Sequence, residues 1–300
     1  MTIVQRQPGT KVNRKAKSTY TPEHIQRLSA NMGQSTYDLI ETALITGGAG
    51  GIGRAIAENL ISKGKKVVIC GRTESKLQST AKEIGADYYV LDTSKVDQIP
   101  NFVAKLLKDH PDINTLFNNA GVQRPFEIPG SNFSNGDYGF DLSKADQEID
   151  TNIRGPMHLI VALLPHFTSL PSGKSGVVVN VSSVLGFMPS SIINPVYNGT
   201  KAWIHSFTVN MRTQLKKSAN VKVIEIVPPT VSTDLHRERT NPDDNKKANN
   251  QAALELPEFI AEIEKGLQSG EDVISAGTGK ALVKMWDEGL GKKYEEAARK

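Results

Sequence analysis

The run Thr46-Gly47-Gly48-Ala49-Gly50-Gly51-Ile52-Gly53 decides the fold. It follows the short apolar stretch Thr42–Thr46 and opens a segment, Ile52 to Ser62, with Ile52, Ile56, Ala57, Leu60 and Ile61 at helical spacing. A glycine loop between a buried strand and a helix lets the backbone come close to a pyrophosphate, whose charge faces the helix N-terminus. Outward from this loop, strand-like and helix-like segments alternate. Strands are expected at Lys66–Cys70, Tyr88–Leu91, Ile113–Phe117, Val177–Val181 and Val221–Val227. Helices are expected at Glu74–Ile84, through Phe102–Leu107, from about Lys144 to Phe167, and at Tyr197–Lys217. Fully apolar strands alternating with amphipathic helices predict an α/β fold with a doubly wound parallel sheet of Rossmann type.

The bounds on function come from charge and cysteine content. The chain of 300 residues has a net charge of +4, and all of it lies in residues 1–40, where six basic groups meet two acids. The remainder carries 30 of each sign, which argues against a nucleic-acid surface. Residues 1–36 read as a basic tail with a short helix from Thr21 to about Met32, and 37–300 as one catalytic domain. Residues 129–142 read as an exposed loop and 236–251 as a flexible excursion. A small substrate lobe is expected near 234–270. The single cysteine, Cys70, allows no internal disulfide and reads as a buried core thiol. No apolar run is long enough to span a bilayer, and no signal-peptide core stands at the N-terminus. The expectation is a cytoplasmic protein, with neither membrane nor nucleic acid as partner and no metal.

Further along, Tyr197 and Lys201 stand four residues apart, on one face of the expected helix. An ammonium beside a phenol lowers the phenol's pKa toward the working pH, which suits it to proton transfer. The second strand ends Cys70-Gly71-Arg72-Thr73 with no acid until Glu74. An acidic residue there would hold the ribose hydroxyls of NAD, whereas Arg72 can pair with a 2′-phosphate, so NADP(H) is the expected cofactor.

Together these motifs resemble the short-chain dehydrogenase/reductase family. The pattern Thr-Gly-x3-Gly-x-Gly is met by Thr46, Gly47, Gly51 and Gly53, with Ile52 inside it. Asn118-Asn119-Ala120-Gly121, Asn152 in Asp150-Thr151-Asn152-Ile153, Asn180-Val181-Ser182-Ser183 and Tyr197 to Lys201 follow in family order, over about residues 40–235. The resemblance implies a site of Asn152, Ser183, Tyr197 and Lys201. It implies cofactor contacts from the glycine loop, Asp92 at the adenine, Asn119, Ala120 and Gly121, and from Val231 and Thr233 at the nicotinamide. Lys201 would also bind the nicotinamide ribose, and Asn152 would hold a relay water. Ser182 is the adjacent alternative to Ser183, and only one of two successive strand residues faces the site. The chain departs from the family at Pro228-Pro229, where Pro-Gly is usual. The implied activity is interconversion of a small-molecule carbonyl and alcohol, by a homodimer or homotetramer built partly on the two long helices after the fourth and fifth strands. The alternatives are a non-catalytic, redox-sensing NADP(H) module and a tethering role for the basic tail.

Overall fold

Alternation along the strands generates the layering. In β1 (Thr42–Thr46) Leu44 enters one apolar cluster and Ile45 the other, because successive side chains leave opposite faces. The same division recurs in β2 (Lys66–Gly71), where Val68 and Ile69 part, and in β4 (Ile113–Asn118), where Leu116 and Phe117 part. One face carries α2 (Gly51–Ser62), through Ile56 and Leu60, and α8 (Leu256–Gln268), through Phe259, Ile263 and Leu267. The other face carries α4 (Ile99–Asp109) and α6 (Gly155–Thr168), through Phe102, Leu106, Leu159 and Leu163. The result is a three-layer α/β/α sandwich. A computed structural model describes residues 34–127, 141–216 and 220–299, and Ser35–Lys300 form one compact unit. The helix expected at Thr21–Met32 and most of the loop expected at 129–142 lie outside the described residues.

The remaining elements complete a parallel sheet. They are α1 (Thr36–Leu39), α3 (Glu74–Ile84), β3 (Asp87–Val90), α5 (Leu142–Ile149), β5 (Gly176–Val181), α7 (Pro195–Leu215), β6 (Val221–Val227), β7 (Val273–Ser275), α9 (Gly279–Trp286) and α10 (Lys292–Ala298). Seven strands run in the order β3-β2-β1-β4-β5-β6-β7, all pairs parallel. The chain winds outward from β1 to β3, then returns to β1's other edge with β4. That reversal opens a crevice at the carboxyl ends of β1 and β4, where a doubly wound sheet binds its ligand.

Several expectations need correction. The first described element is α1, where the Ser35 hydroxyl accepts from the Tyr37 amide at 3.2 Å and caps the helix. The three-residue strand β7 was not expected, being too short for an apolar run to reveal. The helix expected from Lys144 to Phe167 is continuous from Leu142 to Thr168, but it widens into a π-type turn at Asp150–Arg154, where Gly155 N–H reaches back to Asp150 O. Within residues 234–270, α8 packs into the core through Phe259, Ile263 and Leu267. The polar stretch 236–251 is held down rather than loose. Buried Asn245 donates to Val231 O at 3.1 Å and Thr233 O at 3.0 Å, and Lys246 donates to Thr233 O at 2.8 Å.

Candidate active site

A cavity of about 760 Å³ runs along the crevice. Its walls include Gly47, Gly51, Ile52, Arg72, Asn119, Ala120, Gly121, Ser183, Tyr197, Lys201, Val231 and Thr233. Twelve of the expected residues thus share one space. Thr46, Gly53, Asp92 and Asn152 stand outside that lining, and each has a structural task.

Thr46 and Asn119 lock the two loops of the crevice together. The Thr46 hydroxyl donates to Phe117 O at 3.2 Å and accepts from the amides of Asn119 and Ala120 at 3.0 and 2.9 Å. Asn119 Nδ2 donates back to Thr46 O at 2.9 Å. Gly47 takes a φ of +67°, in the left-handed region that favours glycine. Gly53 has no room for a side chain, because a Cβ there would collide with the Asn119 side chain and the Gly47 carbonyl. Asp92 closes a turn, its Oδ1 accepting from the Ser94 amide and hydroxyl at 3.0 and 2.8 Å.

Helix α2 starts at Gly50 with no side-chain cap, so the amides of its first turn are left for a ligand beside a cavity wall of Ala49, Gly50, Gly51 and Ile52. At the adjoining end stand the exposed cations Arg72 and Lys76. Lys76 was not foreseen; its place in the first turn of α3, four residues past Arg72, was the available signal. A glycine loop at a helix N-terminus, flanked by two cations, fits a phosphorylated dinucleotide.

At the other end Ser183 and Tyr197 meet. The Ser183 hydroxyl accepts from the Leu185 amide at 3.1 Å and hydrogen-bonds the Tyr197 phenol. Ser182 is buried too, and its hydroxyl donates to Ile226 O at 3.4 Å. Burial pushes the Tyr197 phenol above its ordinary pKa, and the charge of Glu148 pushes the same way. The Ser183 hydrogen bond and the charge of Arg239 offset part of this rise. The lowering expected from Lys201 is therefore not what the arrangement gives. Lys201 Nζ donates to Val181 O at 2.8 Å and stands 5.4 Å from the centre of the Tyr197 ring. Burial lowers the lysine itself to about 8, against the raising influence of Glu148 and Glu225.

Asn152 lies in the π-type turn with both Nδ2 hydrogens and one Oδ1 acceptor position engaged. Oδ1 accepts from Val122 N–H at 2.9 Å, and Nδ2 donates to Val122 O at 2.9 Å and Thr200 Oγ1 at 3.1 Å. Through these bonds the side chain anchors the loop after β4 to α7.

Sequence reading also missed Arg239. Its Nη1 pairs with Asp244 at 2.7 Å, and its Nη2 donates to Gln123 at 3.0 Å and Asn194 at 2.6 Å. Asp244 also binds His236. These partners lie on three separate loops, and no local spacing announces them. Pro228 and Pro229 both line the cavity and still bring Val231 and Thr233 to it. Elsewhere, Cys70 is wholly buried, its thiol pushed up to about 12. His205 packs between Phe187 and Trp286, with Nδ1 at 3.0 Å from Glu225. Among the described residues no cluster of three or more His, Cys, Asp or Glu could hold a metal, and no helix is long and apolar enough to cross a membrane.

Comparison with known proteins agrees with this architecture. The family model described as short chain dehydrogenase matches residues 41–244. The uncharacterized oxidoreductase DltE of Bacillus subtilis is 32% identical over 238 residues, covering 78% of this chain and 87% of that one. The NADP-dependent 3-hydroxy acid dehydrogenase YdfG of Escherichia coli K12 is 32% identical over 225 residues, covering 73% and 85%. A short-chain dehydrogenase from Sphingobium yanoikuyae, solved in complex with NADPH, has the same fold. Its TM-score is 0.70 at 23% identity, covering 86% of this chain and 95% of that one.

Proposed function

This chain belongs to the short-chain dehydrogenase/reductase family, and on that premise we propose that it is an NADP(H)-dependent oxidoreductase interconverting a carbonyl and an alcohol. One observation carries the reading. A single cavity has Arg72 and Lys76 at one end, the uncapped start of α2 in its wall, and Ser183, Tyr197 and Lys201 at the other end. The family relative YdfG is itself named as NADP-dependent.

Bound NADP(H) would supply or accept a hydride at the substrate carbon. The chain's own residues handle the oxygen. With its pKa raised, Tyr197 keeps its proton at neutral pH, the form required to protonate an alkoxide during reduction. Ser183 accepts from Leu185 N–H, and its hydroxyl proton, shared with Tyr197 in the free site, would turn to the same oxygen. Lys201 would hold the nicotinamide ribose, the glycine loop the pyrophosphate, and Arg72 with Lys76 the 2′-phosphate. Asn119, Ala120, Gly121, Val231 and Thr233 would line the nicotinamide end. Asn152 keeps the loop of Val122 against Thr200, beside Lys201. A homodimer or homotetramer is also proposed. The contact is expected on α6 and α7; an apolar groove lined by Ile99, Val103, Met157 and Val161 supports α6, with α4 rather than α7 as its other wall.

The test follows NADPH absorbance with a panel of aldehydes, ketones and oxo acids, together with Tyr197→Phe. The variant should bind NADPH as the wild type does, read by fluorescence, and lose about 10²- to 10⁴-fold in kcat. Wild-type turnover in the variant would sink the mechanism. NADPH binding without turnover across the panel would favour the redox-sensing module.

A further inference from the structure

Glu148 stands one turn before Asn152, at the end of α5, and is 1% exposed. Its Oε2 accepts from the Arg124 amide at 3.1 Å, while Oε1 is buried with no partner. Buried carboxylates are ordinarily paired or multiply hydrogen-bonded. The obvious counter-ion is committed elsewhere. Arg124 Nε contacts both Glu238 oxygens at 3.1 and 3.0 Å, Nη1 donates to Lys144 O at 3.1 Å, and Nη2 donates to Gln147 Oε1 at 2.7 Å. The charged and titratable groups that face Glu148 are Arg124 on the loop after β4, Lys201 and Tyr197 on α7, and Glu238 beyond β6. Helix α5, which ends beside Glu148, packs against α7, which carries Tyr197 and Lys201, and all three side chains are buried, so an under-paired carboxyl shares a buried region with both members of the proton-transfer pair.

We propose that Glu148 is a positioning residue for proton transfer, a buried carboxyl whose own proton controls how readily Tyr197 releases and regains its proton. The proposal rests on the oxidoreductase reading above. When ionised, Glu148 opposes the Tyr197 phenolate and supports the Lys201 ammonium; when protonated, it does neither. Burial pushes this carboxyl up to about 7, so both forms are available near neutrality. When Tyr197 gives its proton to a substrate oxygen, the new phenolate favours uptake of one solvent proton by Glu148. When the phenolate regains its proton, Glu148 releases one. The two groups therefore titrate as a coupled pair.

A purely structural reading is available, because Glu148 and Asn152 grip the same loop through Arg124 N–H and Val122. Glu148→Gln separates the two, since the amide oxygen can still accept from Arg124 N–H while the charge is gone. The readout is kcat/KM for alcohol oxidation against pH, where activity rises as the phenolate forms. The rising limb in Glu148→Gln should move to lower pH by about one unit, with NADPH binding unchanged. Glu148→Asp, which keeps the charge, should move back toward the wild-type limb. An unmoved limb in active Glu148→Gln overturns the proposal. If that variant does not fold, carbon-13 NMR of wild-type glutamate side chains decides. One carboxyl titrating near neutrality is expected, and none titrating above about pH 6 overturns it. Wild-type protein inactive across the panel would reject the function instead, and the NMR titration would still judge Glu148.

Discussion

On the proposed NADP(H) reading, cofactor choice turns on one charge, that of Arg72. It stands exposed at the end of β2, where an acid would turn away a 2′-phosphate. Arg72→Asp should therefore shift the NADPH-to-NADH ratio of kcat/KM by about 10- to 100-fold toward NADH. An unchanged ratio would discard the assignment. The shift should stay partial, because Lys76 remains beside the site. At this scale the sequence was readable where chemistry depends on short spacing. The glycine loop, the paired serines and the Tyr197–Lys201 turn all converge on one cavity. The sign of the Tyr197 shift was not readable. It depends on burial and on the charge of Glu148, which belongs to a different helix. Thr46, Gly53 and Asn152 were readable as motif members, but their work of locking loops together emerges only from contacts between distant segments.

The segment after β6 shows what an element-scale fastening does. Arg239 ties it to Gln123 on the loop after β4 and to Asn194 at the start of α7. Arg239→Ala leaves the buried Asn194 Oδ1 with only Ser191 and the part-exposed Asp244 with only His236, and the loss of such charge-assisted bonds costs about 1–3 kcal/mol locally. The expected outcome is faster amide exchange and proteolysis within residues 236–250, and a raised KM with little change in NADPH binding. Wild-type protection of that stretch would refute the fastening role. The polarity of 236–251 suggested looseness because a sequence shows side-chain polarity without showing whether it is satisfied. The regular helices were legible by period, and Glu74–Ile84 falls where expected. The π-type turn at Asp150–Arg154 adds no residue-type signal, and β7 is too short to have a period.

Assembly is the question for the whole molecule. Val161 on α6 is 64% exposed beside an apolar groove. Introducing a charge there, as Val161→Asp, should convert the proposed dimer or tetramer to monomer in sedimentation velocity without unfolding the chain. An unchanged sedimentation coefficient would place the subunit contact elsewhere. The strand order has a consequence for biosynthesis. Because β1 lies between β2 and β4, a nascent chain that has emerged only as far as β3 exposes the unpaired edge of what will become the middle of the sheet. That edge is covered only when Ile113–Asn118 arrives, and the edge of β6 waits for Val273–Ser275. The ligand crevice cannot exist before β4 docks, so a chain released from the ribosome only as far as β3 has an open strand edge in place of its ligand site.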